Sequence, residues 1–224
     1  MYKIIHIANN RAYSDNPITQ AFRNKGFEVV EVDLFGQLFE KRVTKQKLLQ
    51  DIFEVGGRMQ PNFIFMQVQH EGIINEYDAT CLNNLAPLIS YSGDVRNNTD
   101  WHQGMGRAGA LTILNNDDDI ETLRLLGYKA EYLQIGFHHQ IHNPKFRFDN
   151  EKYGIVFIGN NYENMTYPLS YEREKMCVEL KNAFGDEFHV YGAGWEKIGI
   201  ESRHLDSKLS TQTYSQYKIG RAHV

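Results

Sequence analysis

Tyr153-Gly-Ile-Val-Phe-Ile158, running into Gly159-Asn-Asn161, is the stretch that decides how this chain is organised. A short apolar, β-branched run closed by glycine and amide residues reads as a buried strand ending in a turn. Ser170 to Phe184 reads as the helix that follows, and Glu187 to Tyr191 as the next strand. Strand, helix, strand implies a parallel pair joined by a right-handed crossover. Immediately upstream, residues 136–151 carry histidines, asparagines, Pro144 and scattered charge without any period, so they read as a linker. The α/β rhythm therefore starts a second time at about residue 152.

The same rhythm fills residues 1–135. Tyr2 to Ala8, Phe27 to Val32, Asn62 to Val68, Pro87 to Ser92, Ala110 to Leu114 and Ala130 to Ile135 read as strands. Helices are expected over Pro17 to Lys25, closed by Gly26, and over Thr44 to Val55, closed by Gly56-Gly57. Two more are expected over Ile73 to Leu85 and over Asp117 to Leu126. In the last, Asp118 and Glu121 have capping-box spacing, and Gly127 stops the helix. The expected fold class is α/β: two Rossmann-like, doubly wound domains, residues 1–135 and 152–224, joined by a linker over 136–151. The second has too few residues for a full sheet. Its last residues, Ile219-Gly-Arg-Ala-His-Val224, resemble the translation of a sequencing-adapter read, so the chain is expected to be cut short after about Tyr217.

With 42% hydrophobic and 23% charged residues among 224, the composition excludes fibrous, collagen-like and extended disordered classes. A net charge of −4, without a basic block, argues against nucleic acid as a partner. The longest apolar runs are too short for a transmembrane segment, and the N-terminus lacks the apolar core of a signal peptide. Cys81 and Cys177 are single and far apart, as reduced thiols in a cytoplasmic protein would be.

Gly104-Met-Gly-Arg-Ala-Gly109 matches the dinucleotide fingerprint letter for letter. That motif needs a strand before it and a helix after it, so that the pyrophosphate meets helix amides. Here a polar stretch precedes and a strand follows. A loop needing positive φ is the preferred reading, and no NAD or FAD is expected. Asp117-Asp118-Asp119 contains the Asp-x-Asp of metal-dependent sugar transfer, but the helix dipole also favours acidic residues in a first turn. His138 and His142 stand four apart, which converges ligands only on a helix; Pro144 and the linker composition argue against one, so no metal is expected. His138 is kept as a candidate hinge residue beside a ligand.

Three strand-end loops carry the remaining chemistry, because ligands of open α/β sheets bind outside the carboxyl ends of the strands. In Ser92-Gly-Asp94-Val-Arg96, Asp94 is placed to serve as a general base or to hold a hydroxyl, and Arg96 to pair with an anion. A plain turn with a surface arginine explains the same residues. Trp101 suits a sugar or base platform, and core packing suits it equally. Gly159, Asn160 and Asn161 precede a helix whose first amides can meet phosphate. Arg173 sits in that helix's first turn, where the dipole disfavours a cation unless an anion is present; a solvated arginine is the plain alternative. Val190-Tyr-Gly192-Ala-Gly194-Trp195 repeats the strand-then-glycine theme.

Leu133-Gln-Ile-Gly-Phe-His138, the Pro-containing linker, Ile155 to Asn161, Arg173 with its helix, and Val190 to Trp195 together resemble the glycosyltransferase-like proteins of the spore-maturation (CgeB) type. Ser92-Gly-Asp94, Trp101-His102 and Asn115-Asn116 fit their N-terminal domains, so the resemblance covers the chain from about Pro87 onward. It implies a GT-B architecture, with the active site in a cleft between two facing domains. It also implies a nucleotide-sugar donor on the second domain, an acceptor on the first, and no metal or other cofactor. The full-length parent is then expected to transfer a sugar from a nucleoside diphosphate to a hydroxyl acceptor, with Asp94 as the catalytic base. Arg96, Trp101, His138, Gly159, Asn160, Asn161, Arg173, Gly192, Gly194 and Trp195 border the substrates in that reading. The 224-residue chain itself is expected to be inactive, because the family's donor-ribose carboxylate lies beyond it. The alternative is a non-catalytic two-domain protein that binds a small ligand or a nucleotide. A nucleotide-dependent oxidoreductase would carry a glycine-rich turn after its first strand, and Ile7-Ala-Asn-Asn10 has none.

Overall fold

The computed structural model describes residues 1–8, 16–34, 36–68, 72–95, 99–134, 136, 154–162, 167 and 169–203. The chain divides into two compact units, Met1–Gly136 and Phe137–Val224.

The first unit is built on β1 (Lys3–Ala8), β2 (Glu28–Asp33), β3 (Phe63–Met66), β4 (Leu88–Ser92), β5 (Leu111–Leu114) and β6 (Ala130–Tyr132). These form one six-stranded sheet in the order β2-β1-β3-β4-β5-β6, with every neighbouring pair parallel. The strand order reverses between β1 and β3, which makes their carboxyl ends the topological switch point. Helices α1 (Pro17–Asn24), α2 (Lys45–Met59), α3 (Glu76–Leu85), α4 (Asp100–Ala108) and α5 (Asp117–Leu125) connect the strands.

A strand covered on both faces is largely apolar, and the Ile4-Ile5-His6-Ile7 run of β1 is fully buried. Ile5, Ile7, Ile64 and Met66 pack with Leu48 and Ile52 of α2 and Leu82 of α3. Ile4, Phe65 and Tyr91 belong to a second cluster, against which Ile18 and Phe22 of α1 pack. Each fully buried Ile or Leu contributes about 2 kcal/mol of hydrophobic stabilisation.

Several boundaries differ from the sequence reading, each for a local reason. Helix α2 does not stop at Gly56-Gly57 but runs to Met59 and closes on Gln60, whose φ is 51°. Gly56 is there for close packing: a Cβ on it would lie 2.4 Å from Leu85 Cδ2. Helix α3 starts only at Glu76, where Asn75 Oδ1 accepts from the Asp78 amide at 2.9 Å and Asp78 Oδ2 from the Asn75 amide at 3.0 Å. The capping-box expectation for α5 gives way to Asn116, whose Oδ1 accepts from the Asp118 amide at 3.1 Å. The Gly104–Gly109 motif is no loop. Gly104 and Gly106 lie inside α4, and a Cβ on Gly106 would come within 2.9 Å of the Tyr128 ring. A short π-helical turn, Gly36–Glu40, precedes α2 and had no signal in the sequence.

The second unit holds β7 (Ile155–Ile158), α6 (Ser170–Phe184), β8 (Phe188–Tyr191) and β9 (Ser202–Arg203), its strands parallel in the order β7-β8-β9. Cys177, Phe188, Val190, Trp195 and Ile200 form its core. Among the described residues, no helix is long and apolar enough to cross a membrane. The expected linker from Phe137 on, and the tail from Tyr217 on, lie outside the described residues.

Candidate functional site

The loops that leave β7 and β8 interlock. The Gly159 amide donates to Tyr191 O at 2.8 Å and the Asn161 amide to Ala193 O at 2.8 Å, so the ladder continues past the strands. The Ala193 amide donates to Asn160 Oδ1 at 2.9 Å, and Trp195 Nε1 donates to Gly159 O at 2.7 Å. This packing, rather than the approach of a ligand, is what demands the glycines. A Cβ on Gly192 (φ 141°) would fall 2.1 Å from Gly159 O, and one on Gly194 (φ 87°) would fall 2.5 Å from Asn161 O. Trp195 is fully buried beneath the loops and edge-on to Phe157 at 5.5 Å, so it supports the site and does not border it as expected.

Arg173 reaches the same place from the side. Its Nη1 donates to Asn160 O at 3.3 Å, and its guanidinium lies 5.7 Å from the Tyr162 ring centroid. Asn161 Nδ2 donates to Glu174 Oε2 at 3.3 Å, which ties the loop to α6 a second time. Leu169, the N-cap of α6, has left-handed backbone (φ 62°) and supplies no side-chain cap to the first-turn amides. The structure thus gathers Gly159, Asn160, Asn161, Arg173, Gly192 and Gly194 at one end of the small sheet. A guanidinium carries five donors, and Asn160 O takes one. A strand-end loop, a helix N-terminus and that cation together suit a phosphate-bearing ligand. A cavity of about 250 Å³ lined by Lys181, Asp186, Phe188 and His189 is a separate feature, at the amino end of β8.

In the first unit the loop after β4 is pinned from two neighbours. Asn115 Nδ2 donates to Gly93 O at 2.8 Å, and the Asp94 amide donates to Ser92 Oγ across a long 3.4 Å. Burial pushes the Tyr91 hydroxyl up in pKa, and the nearby Asp94 charge adds to it. Trp101 is only 8% exposed, and its Nε1 donates to Ile74 O at 3.0 Å. It is a core residue of α4 with no face left for a sugar platform. Beside it, His102 is buried against Ser92 and Asp119. Arg96 and His138 lie outside the described residues. Among the described residues, no cluster of His, Cys, Asp or Glu could hold a metal ion.

Sequence reasoning missed His6. Its Nδ1 lies 2.6 Å from Thr19 Oγ1 and its Nε2 2.9 Å from Gln67 Oε1, and burial lowers its pKa to about 4. Gln67 also accepts from Asn16 Nδ2 at 3.4 Å, so this neutral histidine ties the start of α1 to the end of β3 beside the switch point. A lone histidine inside an otherwise apolar strand was the available signal.

No family model matches the chain, and no curated protein matches it in sequence. Solved structures do. A putative UDP-N-acetylglucosamine 2-epimerase from Listeria monocytogenes superposes with a TM-score of 0.54 at 14% identity, over 96% of this chain and 71% of that one. The UDP-GlcNAc 2-epimerase from Neisseria meningitidis, solved bound to UDP-GlcNAc, gives 0.50 at 9% identity, over 85% of this chain and 65% of that one. A glycosyltransferase from Rickettsia africae gives 0.50 at 8% identity, over 97% of this chain and 63% of that one. The chain thus corresponds to part of each of these structures. At such identities the likeness is one of fold alone, a GT-B-like, Rossmann-type α/β fold.

Proposed function

We propose that this chain comes from a glycosyltransferase, of the spore-maturation (CgeB) type it resembles, that moves a sugar from a nucleoside diphosphate donor to a hydroxyl acceptor in the cytoplasm. The observation that carries the reading is the meeting of the Gly159–Asn161 loop, the Gly192–Gly194 loop and Arg173 at the start of α6. In this reading the second unit holds the donor diphosphate. Arg173 and the first amides of α6 offset the charge that gathers on it as its bond to the anomeric carbon breaks. Asp94 takes the proton of the acceptor hydroxyl while the acceptor oxygen bonds to that carbon, and the diphosphate leaves with the bonding electron pair. Its side chain sits on a loop held by Asn115 and Ser92, which suits a group that must keep its place. No metal or cofactor is required by these steps.

The test is calorimetric titration with UDP, GDP, CDP, ADP and dTDP, on this chain and on the chain extended along its source reading frame. Incubation with the matching nucleotide sugar and analysis of the products follows. Nucleotide binding that weakens about tenfold in Arg173→Ala, with sugar appearing on a hydroxyl acceptor, supports the reading. Binding without transfer favours the non-catalytic binder. An epimerised nucleotide sugar points instead to the chemistry for which the Listeria and Neisseria structures are named.

A further inference from the structure

We propose that Ser92, His102 and Asp119 form an internal relay that positions Asp94. The three come from three elements: Ser92 is the last residue of β4, His102 lies on α4, and Asp119 lies in the first turn of α5. His102 Nε2 is 3.3 Å from Ser92 Oγ, and His102 Nδ1 faces Asp119 Oδ2 across 3.7 Å. The inference rests on the reading of Asp94 as the group that takes the acceptor's proton.

The Asp94 amide can only donate, so Ser92 Oγ accepts from it; the hydroxyl keeps its own hydrogen and a second lone pair for His102 Nε2. With the serine hydrogen directed at Nε2, the ring hydrogen stands on Nδ1, on the side of the Asp119 carboxylate. Serine, histidine and aspartate are also the residues of nucleophilic hydrolysis. Here Ser92 is 2% and His102 1% exposed, which leaves the hydroxyl no approach for a substrate carbonyl. What the set can do is hold the Gly93–Asp94 turn. Its placement is firm: Trp101, next to His102, is anchored through Nε1 to Ile74 O, and the two rings meet edge-on at 5.6 Å. Asp119 Oδ2 is buried and faces His102 Nδ1 from 3.7 Å, with no hydrogen-bond partner of its own among the described residues; burial raises the Asp119 pKa, and a side-chain hydrogen bond with Asn116 opposes the rise. A buried carboxylate oxygen is costly, and an imidazole N–H turned toward it offsets part of that cost.

Amide hydrogen exchange read by mass spectrometry tests this, together with turnover of the nucleotide sugar found by the titrations above, both in the extended chain. Ser92→Ala and Asp119→Asn should each speed exchange at Gly93 and Asp94 about two- to tenfold and leave β1 amides unchanged. Both should lower kcat with the donor KM unaltered, and Ser92→Thr, which keeps the hydroxyl, should restore wild-type behaviour. Unchanged exchange at Asp94 in both variants, with β1 still protected, overturns the relay. If exchange rises as expected but Asp94→Asn turns over like wild type, the fault lies with the role given to Asp94, and the relay's catalytic purpose falls with it.

Discussion

Trp195 Nε1 donates to the carbonyl oxygen of Gly159 at 2.7 Å, so a side chain from the β8 loop satisfies the backbone of the β7 loop. Trp195 is fully buried, and Gly159, half-buried, is held on its other side by its amide bond to Tyr191 O. Trp195→Phe keeps most of the apolar volume and removes the donor. Its expected cost is about 1–3 kcal/mol, because the carbonyl is left with one partner fewer. A urea titration followed by circular dichroism reads this as a lower midpoint, and an unchanged midpoint would show that water replaces the indole.

Gly192 and Gly199 both have positive φ, at 141° and 77°, but only the first is crowded. Gly192→Ala drives a methyl group to within 2.1 Å of Gly159 O, and the loops must separate to admit it. The expected loss is about 3 kcal/mol or more, with nucleotide binding lost as well. Gly199→Ala meets nothing within 4 Å and should cost about 1 kcal/mol for its left-handed backbone alone. Equal effects in thermal melts would refute the interlock.

His6 gives the protein a defined acid sensitivity. Burial, opposed by the Gln67 hydrogen bond and aided by the Arg23 charge, lowers its pKa from 6.5 to about 4. The folded state therefore binds fewer protons than the unfolded state between these values. The stability this histidine contributes is complete above about pH 6.5 and is lost as the pH falls toward 4. The whole interval corresponds to about 3 kcal/mol. Urea midpoints of wild type and His6→Gln, compared at pH 7 and pH 4.5, should converge as the pH is lowered. A constant difference would mean that His6 takes up its proton equally in the folded and unfolded states.

Cys177 is fully buried, and burial pushes its thiol up to about pKa 11, whereas Cys81 is only half-buried. Since the thiolate is the reactive form, an aromatic disulfide reagent at pH 8 should titrate Cys81 in the folded chain and both cysteines only after unfolding. Rapid reaction of Cys177 in the folded state would place it outside the core.

Much of the fold was legible because parallel strands buried on both faces write themselves as short, largely apolar runs. Lys3–Ala8 and Leu88–Ser92 were therefore found within a residue or so of their ends. Ser170–Phe184 was found outright, since its boundaries are set by neighbours in sequence. Glycines were where the reading failed. Gly56, Gly104 and Gly106 looked like stops or turns, yet they sit inside helices, where Leu85, Glu76 and Tyr128 from other elements approach too closely for a larger residue.

The sequence by itself determined the α/β alternation, the restart of the pattern near Ile155, and the strand-end residues Gly159, Asn160, Asn161, Gly192 and Gly194. These depend on local period and turn chemistry. Only the tertiary structure decided what those residues do. It showed that the glycines serve loop-to-loop packing, that Trp101 and Trp195 are buried struts, and that Arg173 turns to Asn160 O. It also brought Ser92, His102 and Asp119 together across 27 positions of sequence, from residue 92 to residue 119. The physical reason is range. Backbone preference acts over a few residues, whereas burial, steric exclusion and hydrogen bonds between elements exist only once the chain has closed on itself.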